Sequence, residues 1–159
     1  HQNAEFLANM FAQFFTDKIQ LIRDGFPPAV NDSEPDTEPA SSMSSFQPIS
    51  SESLKKIILA GNSKSCNLDP IPTSLLKDHI DCLLPSLTNI VNQSLLSGTF
   101  PASLKVATVS PLLKKPSLDK EVCKNYRPVS NLPYIGKLIE RVAVQQLNEY
   151  RSDNDLFEV

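Results

Sequence analysis

"KVATVSPLLKKPSLDKEVCKNYRPVSN", residues 105–131, decides the fold class. At its start Ala107, Val109 and Leu113 alternate with Thr108, Ser110 and Leu112, and β-branched residues are frequent, which is the period of a strand. Pro111 puts that strand at a sheet edge or near its own end, because proline cannot donate to a ladder. The charged loop "KKPSLDKEVCKN" follows. "YRPVSN" is then extended, since Pro128 pushes Arg127 away from the helical region. Two extended segments around a charged loop read as a hairpin.

Everything around the hairpin reads as helix. Downstream, from Pro133 or Tyr134 to Tyr150, a helix carries Ile135, Leu138, Ile139, Val142 and Leu147 inward. Upstream, Pro85 opens a helix with Leu87, Ile90, Val91, Leu95 and Leu96 on its inner side, and Gly98 closes it. The turn-rich connector "KSCNLDPIP" leads into an earlier helix that has Pro72 at its first turn and Leu75, Leu76 and Ile80 inside. Ser50 or Ser51 caps a short helix bearing Leu54, Ile57 and Ile58, which Gly61 ends. Residues 4–23 form one amphipathic helix whose stripe is Phe6, Leu7, Met10, Phe11, Phe14, Phe15, Ile19 and Ile22. That stripe packs into a core or binds a partner. Residues 25–48 are rich in Pro, Ser and acid, and read as a tether with little fixed structure. The expected fold is α/β in the α+β sense, mostly helical with a small antiparallel β-hairpin.

The 159 residues suit one domain or a domain with a tail, and 40% apolar against 21% charged composition is that of globular material. A net charge of −3 argues against a wholly basic nucleic-acid-binding domain, but the mean hides a split. Asp32, Glu34, Asp36, Glu38 and Glu52 stand in a stretch without Lys or Arg. Lys105, Lys114, Lys115, Lys120, Lys124 and Arg127 face only Asp119 and Glu121 in theirs. Cys66, Cys82 and Cys123 are far apart and odd in number, and only His1 and His79 could join them. Reduced thiols and no zinc site are expected. No signal peptide and no membrane-length apolar run is visible, so an intracellular protein, nuclear or cytoplasmic, is expected. The chain begins with His, which suggests a fragment of a longer protein.

Chemistry-bearing patterns are few. There is no G-x-S-x-G and no H-E-x-x-H, and four glycines leave little for a phosphate-cradling loop. No spacing singles out a Ser–Lys nucleophile. The basic strand-loop-strand is what remains. Lys114, Lys115, Lys124 and Arg127 can be projected together, Arg as a planar fork of donors and Lys as a point charge. Holding Arg127 extended between Tyr126 and Pro128 orders its direction in advance, so less freedom is lost on binding. On physics alone the hairpin is equally a set of solvated charges.

From about Ser50 to Val159 the sequence resembles the start of the reverse transcriptase domain of non-LTR (LINE-type) retrotransposons. The resemblance lies in an ordered series: "LDPIP", then "SLLSGTFPASLK", "ATVSPLLKKP", "KNYRPVSNLP" and "YIGKLIERVAVQQL". Many members read Pro-Asp-Gly-Ile-Pro at the connector, where this chain has Leu68-Asp69-Pro70-Ile71-Pro72. The first helix also resembles the segment joining the endonuclease of such elements to the polymerase. The implied layout is a connector helix over 1–24, an acidic Pro/Ser-rich linker over 25–49, and over 50–159 the N-terminal fingers of a right-hand polymerase, cut before the palm.

What the resemblance implies follows residue by residue. Arg127, with Lys114 and Lys115, would contact the nucleotide. Lys124, Pro128, Val129, Ser130 and Asn131 would line the template, and Tyr126 would pack rather than stack. The implied partners are an RNA template, a DNA primer, a dNTP and the palm of the same polyprotein. Such polymerases take two magnesium ions on palm carboxylates, from an aspartate after a strand and an aromatic-Ala-Asp-Asp turn. That turn is absent, and Asp153, Asp155 and Glu158 do not form it. No catalytic residue, no metal ligand and no cofactor is therefore expected in this piece, which would be inactive alone. A non-catalytic nucleic-acid- or protein-binding module, and a decayed copy of such an element, are the alternative readings.

Overall fold

The structure, a computed structural model, describes residues 2–27 and 42–156. The acidic part of the expected linker, 28–41, lies outside the described residues, as do His1 and 157–159. Five helices and two strands follow in the order α1 (Gln2–Asp24), α2 (Ser51–Ala60), α3 (Thr73–Asp78), α4 (Ile80–Ser97), β1 (Thr108–Leu113), β2 (Tyr126–Asn131) and α5 (Tyr134–Asp153). The two strands pair antiparallel as the expected hairpin. Among the described residues no helix is long and apolar enough to cross a membrane.

By contact the described chain divides into two compact units. One is α1 with residues 109–130; the other takes 42–108 and 131–156. In the first, Phe15 of α1 stacks with Phe11 and meets Phe14 edge-on, and Phe11 meets the Tyr126 ring edge-on at 4.8 Å. Val109 and Pro111 of β1 lie across a cavity of about 310 Å³ from the same helix face. Only the middle of the α1 stripe is covered: Phe6, Ile19 and Ile22 are exposed.

The second unit is a helical core of Leu54 and Ile58 from α2, Leu76 from α3, Ile80, Leu87, Val91 and Leu95 from α4, and Leu138, Ile139 and Val142 from α5. Ser50 caps α2 by accepting from the Ser53 amide at 3.2 Å. At the other end of α2 the Lys77 ammonium donates to the carbonyls of Leu59 and Gly61, which satisfies groups that no helix turn can reach. Gly98 ends α4 with φ of 62°, a left-handed conformation that disfavours any side chain. Gly136 lets α5 approach the Ala102–Leu104 turn, where an added Cβ would lie 3.3 Å from the Leu104 carbonyl oxygen.

Three details differ from the sequence reading. Pro85 does not open α4, which starts five residues earlier at Ile80, directly after the turn residue His79. The buried ring of positions Ile80, Leu87, Val91 and Leu95 sets that helix, and the proline sits inside it. Leu75, Ile90, Leu96 and Leu147 are exposed rather than inward. Leu75 and Leu96 adjoin the buried Leu76 and Leu95 and, about 100° round the helix from them, point away from the core here. Finally, residues 42–49 are not part of a loose tether: they have no regular secondary structure, but Phe46 and Ile49 pack on the helical core.

The connector to α5 is held by one carboxylate. Asp69 closes the turn 66–69 twice, its amide donating to the Cys66 carbonyl at 2.9 Å and its Oδ2 accepting from the Cys66 amide at 2.6 Å. Its Oδ1 accepts from the Tyr134 amide, the first of α5, at 2.6 Å. The Cys66 thiol donates to the Asn131 carbonyl at 3.2 Å, just ahead of that helix. A negative charge at a helix N-terminus is further favoured by the helix dipole.

Replacing Asp69 by Ala leaves two buried amides without their charged acceptor and is expected to cost about 3 kcal/mol. Asp69→Asn keeps one good acceptor and is expected to cost about half of that. The midpoint of urea unfolding reads both. Tyr134 gives a pH signature. Its ring is buried, and burial raises the phenol pKa above its ordinary 10.0, with Arg141 opposing. The folded state then holds the phenol proton more tightly than the unfolded chain does. Stability is expected to be unaffected by this group below about pH 10 and to fall as pH rises beyond it. Tyr134→Phe should remove that part of the alkaline decline, measured as the urea midpoint against pH.

Candidate nucleic-acid interface

β1 and β2 place the candidate residues by strand alternation. Tyr126 turns toward Phe11, so the face of β2 carrying Tyr126 lies on α1. Arg127 and Val129 therefore stand on the opposite, open face. In β1, Val109 and Pro111 face α1, which leaves Ser110 and Leu112 on the open side. That open face thus combines the Arg127 guanidinium with exposed Val129 and Leu112. The expectation that Tyr126 packs rather than stacks agrees with this placement. Its hydroxyl donates to the Lys120 carbonyl at 3.1 Å.

The loop between the strands is ordered by its own groups. The Lys114 amide donates to the Asn125 carbonyl at 2.9 Å, continuing the ladder past β1. The Asn125 side-chain amide donates to the Asp119 carbonyl at 2.8 Å, and Asp119 Oδ1 accepts from the Glu121 amide at 2.9 Å. A 3₁₀ turn, Cys123–Asn125, leads into β2. Among the expected contacts, Lys114 spends its ammonium on the Lys124 carbonyl, at 2.7 Å, and so ties the loop's two ends. Lys115, Lys124 and Arg127 are exposed, and among the described residues their side chains make no hydrogen bond or ion pair. Pro128 and Ser130 are exposed as well.

Asn131 is placed differently from the rest. It belongs to the helical unit, and its Oδ1 accepts from the Lys137 ammonium at 2.7 Å. Its carbonyl takes the Cys66 thiol proton. The hairpin thus carries Lys114, Lys115, Lys124 and Arg127, with Lys114 bonded to the Lys124 carbonyl, while Asn131 works as an anchor for the start of α5. Sequence reasoning did not find the group Asp69, Cys66, Asn131 and Lys137. A Pro-rich turn carrying an aspartate marks one end of it, but the separation of 65 positions between Asp69 and Tyr134 hides the other.

The arrangement can hold anionic groups. It contains no general base beside a nucleophile, and among the described residues no three His, Cys, Asp or Glu are placed to hold a metal ion. No known family model matches the chain, and no solved structure does. Over 86 residues it is 31% identical to the putative 115 kDa protein in the type-1 retrotransposable element R1DM of Drosophila melanogaster. That stretch takes in 54% of this chain and 8% of the Drosophila protein, so the chain is similar to a small part of a retrotransposable-element protein.

Proposed function

We propose that the chain derives from a non-LTR retroelement and is the fingers portion of its reverse transcriptase, which holds template and incoming nucleotide and transfers no phosphoryl group by itself. One observation carries the reading: the basic hairpin presents Arg127 on an open strand face, with Lys115 and Lys124 free beside an ordered loop. The ordered motif series and the similarity to a retrotransposable-element protein support it.

The chemistry assigned to each group is limited to binding. Arg127, extended within β2, offers paired N–H donors to phosphate oxygens. Lys115 and Lys124 add point charges, and Lys114 keeps the loop in the shape that presents them. Val129, on the same strand face as Arg127, adds an uncharged surface for a nucleic-acid strand, while Pro128 and Ser130 are exposed on the alternate side of β2. Asn131 serves the same end indirectly, by fixing where β2 gives way to α5. Two-metal phosphoryl transfer needs clustered carboxylates, and the residues described do not supply them.

A second reading, a nucleic-acid-binding module without polymerase ancestry in its role, rests on the same hairpin and the same lack of clustered carboxylates. Two measurements separate the outcomes. Fluorescence anisotropy with a labelled RNA, titrated across salt, should give an affinity that falls steeply as salt rises. Lys115→Ala or Arg127→Ala should each reduce the slope of log affinity against log salt by about one. Slopes unchanged by every such replacement would remove the hairpin from the binding surface. Primer extension on an RNA template with magnesium should show no product from this chain alone.

A further inference from the structure

Residues 43–49 form a short strap whose main chain is read by two side-chain amides. Asn92 of α4 accepts from the Ile49 amide at 2.8 Å and donates to the Ile49 carbonyl at 3.0 Å. Gln146 of α5 accepts from the Gln47 amide at 2.8 Å and donates to the Gln47 carbonyl at 2.8 Å. Each amide thus satisfies both polar groups of one residue, as a neighbouring strand would. The residue between them is Pro48, which has no N–H to leave unpaired. Phe46 and Ile49 supply apolar anchors against the core.

This is how a groove recognises an extended peptide: main-chain bonds give affinity and side-chain pockets give selectivity. Open cavities flank the strap. One of about 460 Å³ lies toward Val142, Gln145 and Glu149, and one of about 570 Å³ toward Leu95, Leu96 and Leu147. The strap is therefore seated on the helices without being enclosed by them. Gln47, Pro48 and Ser45 are exposed.

We infer that the surface between α4 and α5 is a peptide-recognition groove, and that its occupant is the chain's own residues 46–49, docked in cis and separable from a helical core that stays folded. The recognised pattern is an aromatic-x-Pro-aliphatic segment. The inference is independent of the polymerase reading, since it uses no residue of the hairpin.

The test empties the groove in the full chain. Phe46→Ser combined with Ile49→Ser removes both anchors, and the probe is a fluorescent peptide of sequence MSSFQPIS. The emptied chain should bind it about a hundredfold more tightly than the native chain, whose strap competes at high effective concentration. Adding Asn92→Ala to the emptied chain should weaken the peptide by about tenfold or more, through two lost hydrogen bonds. A folded, emptied chain that ignores the peptide, binds a scrambled one equally, or is indifferent to Asn92→Ala overturns the inference. Hydrogen exchange on the native chain decides the matter even if the emptied chain fails to fold. The Gln47 and Ile49 amides should exchange about a hundredfold faster than those of Val91 and Val142, through an opening that leaves the helices protected. Exchange of all four at one common rate would show that the strap is part of the core and would equally overturn it.

Discussion

The Asp69 carboxylate accepts from amides in two parts of the chain, and the layout of the helical unit depends on it. One oxygen fixes the connector turn and the other receives the first amide of α5. A helix N-terminus leaves N–H groups unpartnered, and α5 has Pro133 at its cap position, which offers no side-chain acceptor. Asp69 fills that need from a distant part of the chain. Once α5 starts in the right place, Leu138, Ile139 and Val142 enter the core beside Leu54 and Val91. The polar contact sets register, and burial supplies most of the free energy.

The hairpin unit follows a different logic. Its apolar contacts are aromatic and confined to the middle of α1, and its sheet has two strands, so both are edges. Proline in each strand and lysines in the connecting loop are features that discourage edge-to-edge pairing. The same features leave the Arg127 guanidinium exposed on the open strand face.

Much of the fold was legible in the sequence, for local reasons. The Ser50 cap, the Gly98 stop, the strand period before Pro111 and the extended run at Arg127 each depend on neighbours within a few positions. Pro85 misled because its usual place is a first turn, while the apolar spacing from Ile80 onward is stronger. The strap misled because serine and proline dominate its composition, and Phe46 and Ile49 are too sparse to form a period. In the candidate site, the exposure of Lys115 and Arg127 was readable from the pattern of polar residues. That Lys114 turns back to a carbonyl, and that Asn131 is held by Lys137, depends on geometry no spacing reveals.

The core of the helical unit is assembled from pieces far apart in the chain, because α4 packs with both α2 and α5, and the hairpin residues lie between α4 and α5 in the sequence. This matters while the chain is being made. Until α5 has left the ribosome, the apolar sides of Leu54, Ile58 and Val91 have no lid, and a nascent chain ending before residue 134 presents them to solvent. Long-range closure of this kind is slow compared with local helix formation. Synthesis from the N-terminus therefore leaves this core uncovered until α5 follows the hairpin.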